Sequence, residues 1–346
     1  MAKIDIIMKQ KKRKGSDEAL VSVIIPSMNR RDELRRALLS VYQQEDVKKE
    51  VIVVDDASTD GTPEMILKEF HDVILIRNEN HIGVNLTKDQ GILRSRGDYL
   101  YFMDSDAELV YKDCLKTMVD LLATNPDIGA IGSEAYPKSE GQIEHLKKII
   151  TFNGETLSVP IRQDHYELLD ASYVSTCNMM IPRDLLEECG GFDSYTVFAG
   201  ADKELGYRLR CSKYRSVVDS RCLAYHYFSP KTRISNLYLS NRNRIRFVIK
   251  YYPWYVIPIL PILDILSLAS MRRLSSVIRR DIFVMRWISK KDISKISFVK
   301  FIFTLGFDVI TSFIKAYAWN LVHLPRTLKE RVSKENYLEV LRRGNN

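Results

Sequence analysis

Four short apolar runs, each followed by a stretch of helical period, constrain this chain more than any other feature. The first is Val21-Ser-Val-Ile-Ile25, closed by Pro26; Leu34, Leu38, Val41 and Tyr42 then share one helical face. Val51-Ile-Val-Val54 runs into Asp55-Asp-Ala-Ser-Thr-Asp-Gly61, which is dense in turn and cap residues. Val73 to Ile76 is the third run, and Tyr99 to Met103 the fourth, entering Asp104-Ser105-Asp106. Continuously apolar strands have no wet face, so their alternation with amphipathic helices predicts a mostly parallel sheet covered on both sides. Such sheets bind ligands beyond the carboxyl ends of their strands. Those ends are acidic here: Asp55 and Asp56 after the second run, Asp104 and Asp106 after the fourth. No GxGxxG follows the first run, which disfavours an ordinary dinucleotide fold.

Past Ile131 the period loosens, and residues 135–170 read as a substrate-facing insert. Order returns from Tyr173 to Pro182, before Gly190-Gly-Phe-Asp193 and a helix expected from about Asp202 to Ser212. The 346 residues give room for one large domain and an appendage. We divide them into a loose basic tail (1–18), an α/β domain (19–232) and a basic, apolar helical region (233–346). Cys114, Cys177, Cys189, Cys211 and Cys222 are odd in number and form no CxxC pair. They read as buried free thiols in a reducing compartment, not as a disulfide scaffold or zinc ribbon.

The net charge is +8, yet residues 231–291 hold 13 Lys or Arg against Asp264 and Asp281, so this stretch is +11 and the rest −3. A basic zone beside a near-neutral body implies a local anionic partner. Trp254 to Ser270 carries one charge and two prolines over 17 residues, short of the roughly 20 apolar residues a spanning helix needs. In the stretch from Ser297 to Leu321, Lys300, Thr304, Asp308, Thr311 and Lys315 fall within an arc of about 80°, the pattern of a helix lying in a membrane interface. The expected partner is an anionic membrane surface; no groove-reading motif accompanies the basic zone, so nucleic acid is not expected.

Asp104 and Asp106 end a buried run one residue apart. In an extended segment both carboxylates lean to one side of Ser105 and can share a hard divalent cation.

Taken in order, Val21 to Arg30, Val51 to Gly61, Asn80-His-Ile-Gly83, Gly97 to Asp106 and Gly191-Phe-Asp193 resemble the family 2 glycosyltransferases over about residues 20–230. That resemblance implies a GT-A fold and inverting transfer from a nucleotide-diphosphate sugar, either a UDP- or a dTDP-sugar. The C-terminal third is similar, less specifically, to rhamnosyltransferase-like members acting on lipid-linked or polymeric glycans. By position, the resemblance places Pro26, Ser27 and Asn29 at the nucleotide, with Asp56 accepting from the base. Lys88 stands where an arginine is usual and keeps its charge without the planar fork. Asp104 and Ser105 would lie at the ribose, and Asp104, Asp106 and His226 would hold Mn2+ or Mg2+. Asp202 matches the general base that takes the acceptor's proton, although Ala201 breaks the usual Glu-Asp pair. Glu204, Arg242 and Arg244 are acceptor or phosphate candidates. We therefore expect an enzyme at the cytosolic membrane face. The alternatives are a non-catalytic nucleotide-sugar or glycan-binding module and a processive polysaccharide synthase; only Arg286-Trp287 of the latter's Gln-x-x-Arg-Trp signature is present.

Overall fold

Strand residues of alternating parity divide between two buried clusters in the computed structural model, which describes residues 13–137, 143–162, 165–193, 196, 200–227, 237–269 and 310–330. One unit comprises Met1–Ile150 with Thr156–Phe228, and the other Thr151–Glu155 with Ser229–Asn346. The first unit begins β1 (Leu20–Ser27), α1 (Arg31–Tyr42), β2 (Lys48–Asp55), α2 (Thr62–Glu69), β3 (Ile74–Arg77), α3 (Val84–Arg94), β4 (Tyr99–Met103), β5 (Ala107–Leu109) and α4 (Cys114–Thr124). It continues β6 (Ile128–Pro137), β7 (Ile143–Ile150), β8 (Thr156–Ile161), β9 (Leu169–Ala171), β10 (Asn178–Pro182), α5 (Arg183–Glu188), α6 (Ala201–Cys211) and β11 (Arg215–His226).

Val21, Val23, Ile25, Val51, Val53, Tyr99, Tyr101 and Met103 share one cluster with Leu34 and Leu38 of α1 and Leu115 and Met118 of α4. Ile24, Ile52, Val54, Leu100 and Phe102 form the opposite cluster with Leu185 of α5 and Leu205 and Leu209 of α6. The period of two therefore buries both faces of each central strand.

The sheet order is β3-β2-β1-β4-β10-β6-β11-β5. β1, β2, β3 and β4 pair in parallel, as do β6 and β11, but β10 runs antiparallel between β4 and β6. The sheet is thus mixed, not mostly parallel: a turn joins β4 to β5, and no helix separates β9 from β10, which enters antiparallel between β4 and β6. The insert is also ordered: β7 pairs antiparallel with β6 and with β8. β7 is half-buried around buried His145, and β8 exposes Leu157 and Pro160 along with Thr156 and Ser158, so the ribbon carries no apolar period. β1 runs on through Pro26 and Ser27; its pairing with β4 ends at Ile24, so the missing Pro26 amide leaves no bond unmade on that side. Nor is residue 13 loose: the Arg13 guanidinium donates to the carbonyls of Leu122 (2.9 Å) and Ile128 (2.7 Å), and Lys14 pairs with Asp98 at 2.7 Å.

The second unit contains α7 (Leu237–Tyr251), α8 (Val256–Ala269), a helical run over 310–322 and the helix Leu324–Lys329. It buries Phe247, Val248, Leu260 and Phe313, yet two of its helices carry apolar residues outward. Along α8, Ile259, Ile262, Ile265 and Leu266 are exposed while Asp264 is buried. Over 310–322, Ile310, Ile314, Leu321 and Val322 are exposed while Ser312 and Asn320 are buried. Asp264 accepts from Arg244 Nη2 and from the Tyr317 hydroxyl, each at 2.6 Å. Among the described residues no helix is long and apolar enough to cross a membrane. Most of the basic zone, with Lys300, Thr304 and Asp308, lies outside the described residues.

Candidate active site

Beyond β4 the chain turns: the Ala107 amide donates to the Asp104 carbonyl at 3.0 Å, closing a β-turn around buried Ser105. The two carboxylates are therefore gathered by a turn, not by the extended segment expected. β5 then pairs antiparallel with the end of β11, in register Ala107↔His226, and the Tyr227 amide donates to the Asp106 carbonyl at 2.8 Å. That register sets the histidine beside the carboxylates, with Nε2 3.3 Å from Asp106 and 3.8 Å from Asp104.

The ligand atoms of Asp104, Asp106 and His226 all lie within 4.8 Å of one another. Two carboxylate oxygens and one imidazole nitrogen suit Mn2+ or Mg2+, and the set fits a divalent cation. Arg30 ion-pairs with Asp106. Burial would raise Asp106, but His226 and Arg30 outweigh it and bring it down to about 2. Burial would lower His226; Cys177, Asp106 and Glu134 instead raise it well above its ordinary value.

Lys88, on α3, is buried at 4% exposure, and its ammonium donates to Thr176 Oγ1 at 2.6 Å. It stands 4.0 Å from Asp104 and 6.0 Å from the Phe192 ring centroid. Phe192, from the Gly190-Gly-Phe-Asp193 segment, packs edge-on against Phe102 at 5.1 Å. Lys88 also acts electrostatically on Asp202, in the first turn of α6. Burial raises Asp202 above the usual carboxylate range, against the opposing charge of Lys88 and a hydrogen bond from the Lys203 amide at 2.8 Å. One cation thus couples the acidic turn to the expected base.

The nucleotide candidates gather at the ends of β1 and β2. Asn29 adopts φ 51°, and its side-chain oxygen accepts from the Thr59 amide at 2.8 Å. Pro26 pairs with Val54, and Ser27 is buried with its hydroxyl unpartnered. Asp56 accepts from the amides of Ile82 (2.9 Å) and Gly83 (3.0 Å), from Asn78 Nδ2 at 3.1 Å, and pairs with His81 at 2.7 Å. Gly83, at φ 93°, supplies the left-handed turn that aims its amide there. Asp56 thereby pins the loop over 78–83, a positioning role its motif did not suggest.

Residues 22–190 match the family whose description is "Glycosyl transferase family 2". These residues form a family 2 glycosyltransferase domain. The Myxococcus xanthus O-antigen biosynthesis protein RfbC is 26% identical over 231 residues, spanning 62% of this chain and 18% of that one. The Bacillus subtilis putative teichuronic acid biosynthesis glycosyltransferase TuaG is 37% identical over 91 residues, 25% of this chain and 36% of that one. The chain thus spans only a minor part of either relative. Among solved structures, GalNAc-T7 with UDP, GalNAc and Mn2+ superposes with TM-score 0.56 at 15% identity, covering 68% of this chain and 49% of that one. The Pyrobaculum calidifontis mannosyltransferase PcManGT, in complex with GDP-Man and Mn2+, superposes with TM-score 0.52 at 19% identity, covering 89% of each chain. These likenesses carry the α/β, GT-A-like fold of the family 2 domain.

Three further candidates have other surroundings. Glu204 is buried at 3% exposure, with no surface for an acceptor. Arg244 pairs with Asp264 inside the second unit, and the Arg242 guanidinium lies 4.5 Å from the Trp319 ring centroid. Both arginines have partners within that unit. Sequence reasoning missed Arg30, Thr176, Glu134 and Lys148. Arg30 closes the first motif and is readable as a cation beside an acidic turn; Glu134 falls where the period loosens after Ile131, and Lys148 within the insert over 135–170.

Proposed function

We propose that this family 2 domain transfers a sugar, with inversion, from a UDP- or dTDP-sugar to a hydroxyl of a glycan acceptor. The observation that carries the reading is the convergence of Asp104, Asp106 and His226 beyond β4, coupled through Lys88 to Asp202. Asp104, Asp106 and His226 would hold a divalent cation, which when bound neutralises the departing diphosphate. Lys88 and Arg30 supply fixed positive charge beside the same oxygens. Asp56 shapes the nucleotide pocket through the loop it pins, and Pro26, Ser27 and Asn29 line up at the end of β1 beside it. Asp202 takes the proton of the acceptor hydroxyl while that oxygen bonds to the anomeric carbon. The bond from that carbon to the diphosphate oxygen breaks, and its electron pair leaves with the nucleoside diphosphate. Burial favours this role, because a base works best with its proton affinity moved toward the working pH.

The names of the two curated relatives, for O-antigen and teichuronic acid biosynthesis, support a polymeric or lipid-linked acceptor. The apolar outer faces of α8 and of the 310–322 helix support docking of the second unit on an anionic membrane, at its cytosolic face.

The test is nucleotide release from UDP-, dTDP- and GDP-sugars with Mn2+, Mg2+ or chelator, with and without membrane lipid extract. We expect cation-dependent release for one donor, about 10²–10⁴-fold lower in Asp202→Asn. Equal release by wild type and Asp202→Asn would remove Asp202 as the base. Failure to bind any donor in the presence of cation would overturn the transferase reading.

A further inference from the structure

Glu134 is a carboxylate in the interior of a sheet, a place such groups occupy only when paired. It lies on β6, in register with Ala224 of β11 and Leu146 of β7, and is 5% exposed. Its two oxygens face different ways. Oε1 meets the Lys148 ammonium of β7 at 2.6 Å. Oε2 accepts from the Cys177 thiol at 3.0 Å and stands 3.8 Å from His226 Nδ1. Lys148 Nζ is itself 3.4 Å from the Tyr136 hydroxyl and 3.3 Å from Ser158 Oγ. The Tyr136 ring lies 5.7 Å from the imidazole, tilted by 33°.

The imidazole is therefore held from opposite sides. Asp104 and Asp106 face Nε2, and Glu134 faces Nδ1, with its own position fixed by Lys148 and Cys177. A histidine that ligates a cation does so as the neutral ring. The nitrogen that keeps the proton is the one turned toward an acceptor, and a carboxylate there fixes both tautomer and orientation.

We propose that Glu134 is a positioning residue for His226, keeping the ring proton on Nδ1 so that Nε2 presents its lone pair to a cation shared with Asp104 and Asp106. This rests on the reading of those three residues as cation ligands. Glu134 touches no reacting atom in this scheme; it acts through the ring.

The test uses Mn2+ alone, titrated by electron paramagnetic resonance into the full chain as wild type, Asp106→Asn and Glu134→Gln. Glu134→Gln keeps the side-chain shape and removes the charge. We expect it to weaken Mn2+ binding about 10–100-fold. Independently, long-range 1H–15N spectra of the wild-type chain loaded with Mg2+ should place the ring proton of His226 on Nδ1. This second measurement stands even where Glu134→Gln does not fold. Affinity of Glu134→Gln equal to wild type, or a ring proton on Nε2, overturns the role of Glu134 alone, provided Asp106→Asn abolishes binding. If wild type binds no Mn2+, or Asp106→Asn binds it as tightly, the cation reading fails and takes this proposal with it.

Discussion

Both units bury apolar side chains, but they expose different ones. In the first, strands turn Val, Ile, Leu, Phe and Tyr inward from both faces, and the charged cluster lies beyond the strand ends. In the second, Arg244, Asp264 and Asn320 are inside, while Ile265 (65% exposed), Leu321 (72%) and Val322 (75%) point outward. Water penalises exposed apolar surface, so the first arrangement is what water alone selects. The second is the arrangement expected of the membrane docking proposed above, in which interior polar groups pair with each other and outward apolar side chains would meet lipid. On that proposal, one hydrophobic rule applied against two surroundings leaves different surfaces in one chain.

The largest effect that sharpens this contrast is in the first core. Phe102 is fully buried and edge-on to Phe192, so Phe102→Ala should cost about 3–5 kcal/mol in urea unfolding. The triple change Ile262→Ser, Ile265→Ser and Leu266→Ser should leave stability in water within about 1 kcal/mol and abolish co-sedimentation with anionic vesicles. If the triple variant unfolds as readily as Phe102→Ala, the α8 face is ordinary core and the contrast collapses.

Next comes the polar interior. Removing Arg244 alone takes the charged donor from buried Asp264 and leaves the Tyr317 hydroxyl still donating to it. Arg244→Met should destabilise the second unit by about 3 kcal/mol, since one partner of a buried pair is left uncompensated. Arg244→Met combined with Asp264→Leu should recover most of that loss. A double variant as weak as the single one would show that the pair is not what matters there.

Much of the first unit was legible because its strands are continuously apolar and end in acids. The runs at 51–54 and 99–103 fall within β2 and β4, and the helix expected from Asp202 begins one residue earlier, as α6. The ribbon of β7 and β8 was not legible: a hairpin with wet faces needs no apolar period, and its register with β6 is a long-range fact. The same holds for the site. Asp104 and Asp106 announce themselves by spacing, whereas His226 reaches them through the register of β11 on β5, and Glu134 reaches His226 through the pairing of β6 with β11. The partners of Arg242 and Arg244 were not legible either: an aromatic-basic cluster reads alike whatever its side chains meet within their own unit.

The smallest effect tests whether burying an acid is tolerated in the first unit without the pairing seen in the second. Asp89, on α3 beside Lys88, is half-buried, and burial pushes its carboxyl up to about 6. The unfolded chain ionises near the ordinary aspartate value, so above pH 6 the folded state carries a desolvated charge that the unfolded state does not. Asp89 therefore lowers stability above that pH, and the penalty fades as pH falls through 6 toward 4. Because the side chain is about half open to solvent, screening reduces the effect to about 1 kcal/mol. Asp89→Asn should stabilise the chain by that amount at pH 8, with a gap from wild type that narrows toward pH 5. A gap of the opposite sign, or one unchanged with pH, would mean that Asp89 has its charge compensated after all, as Asp264 does.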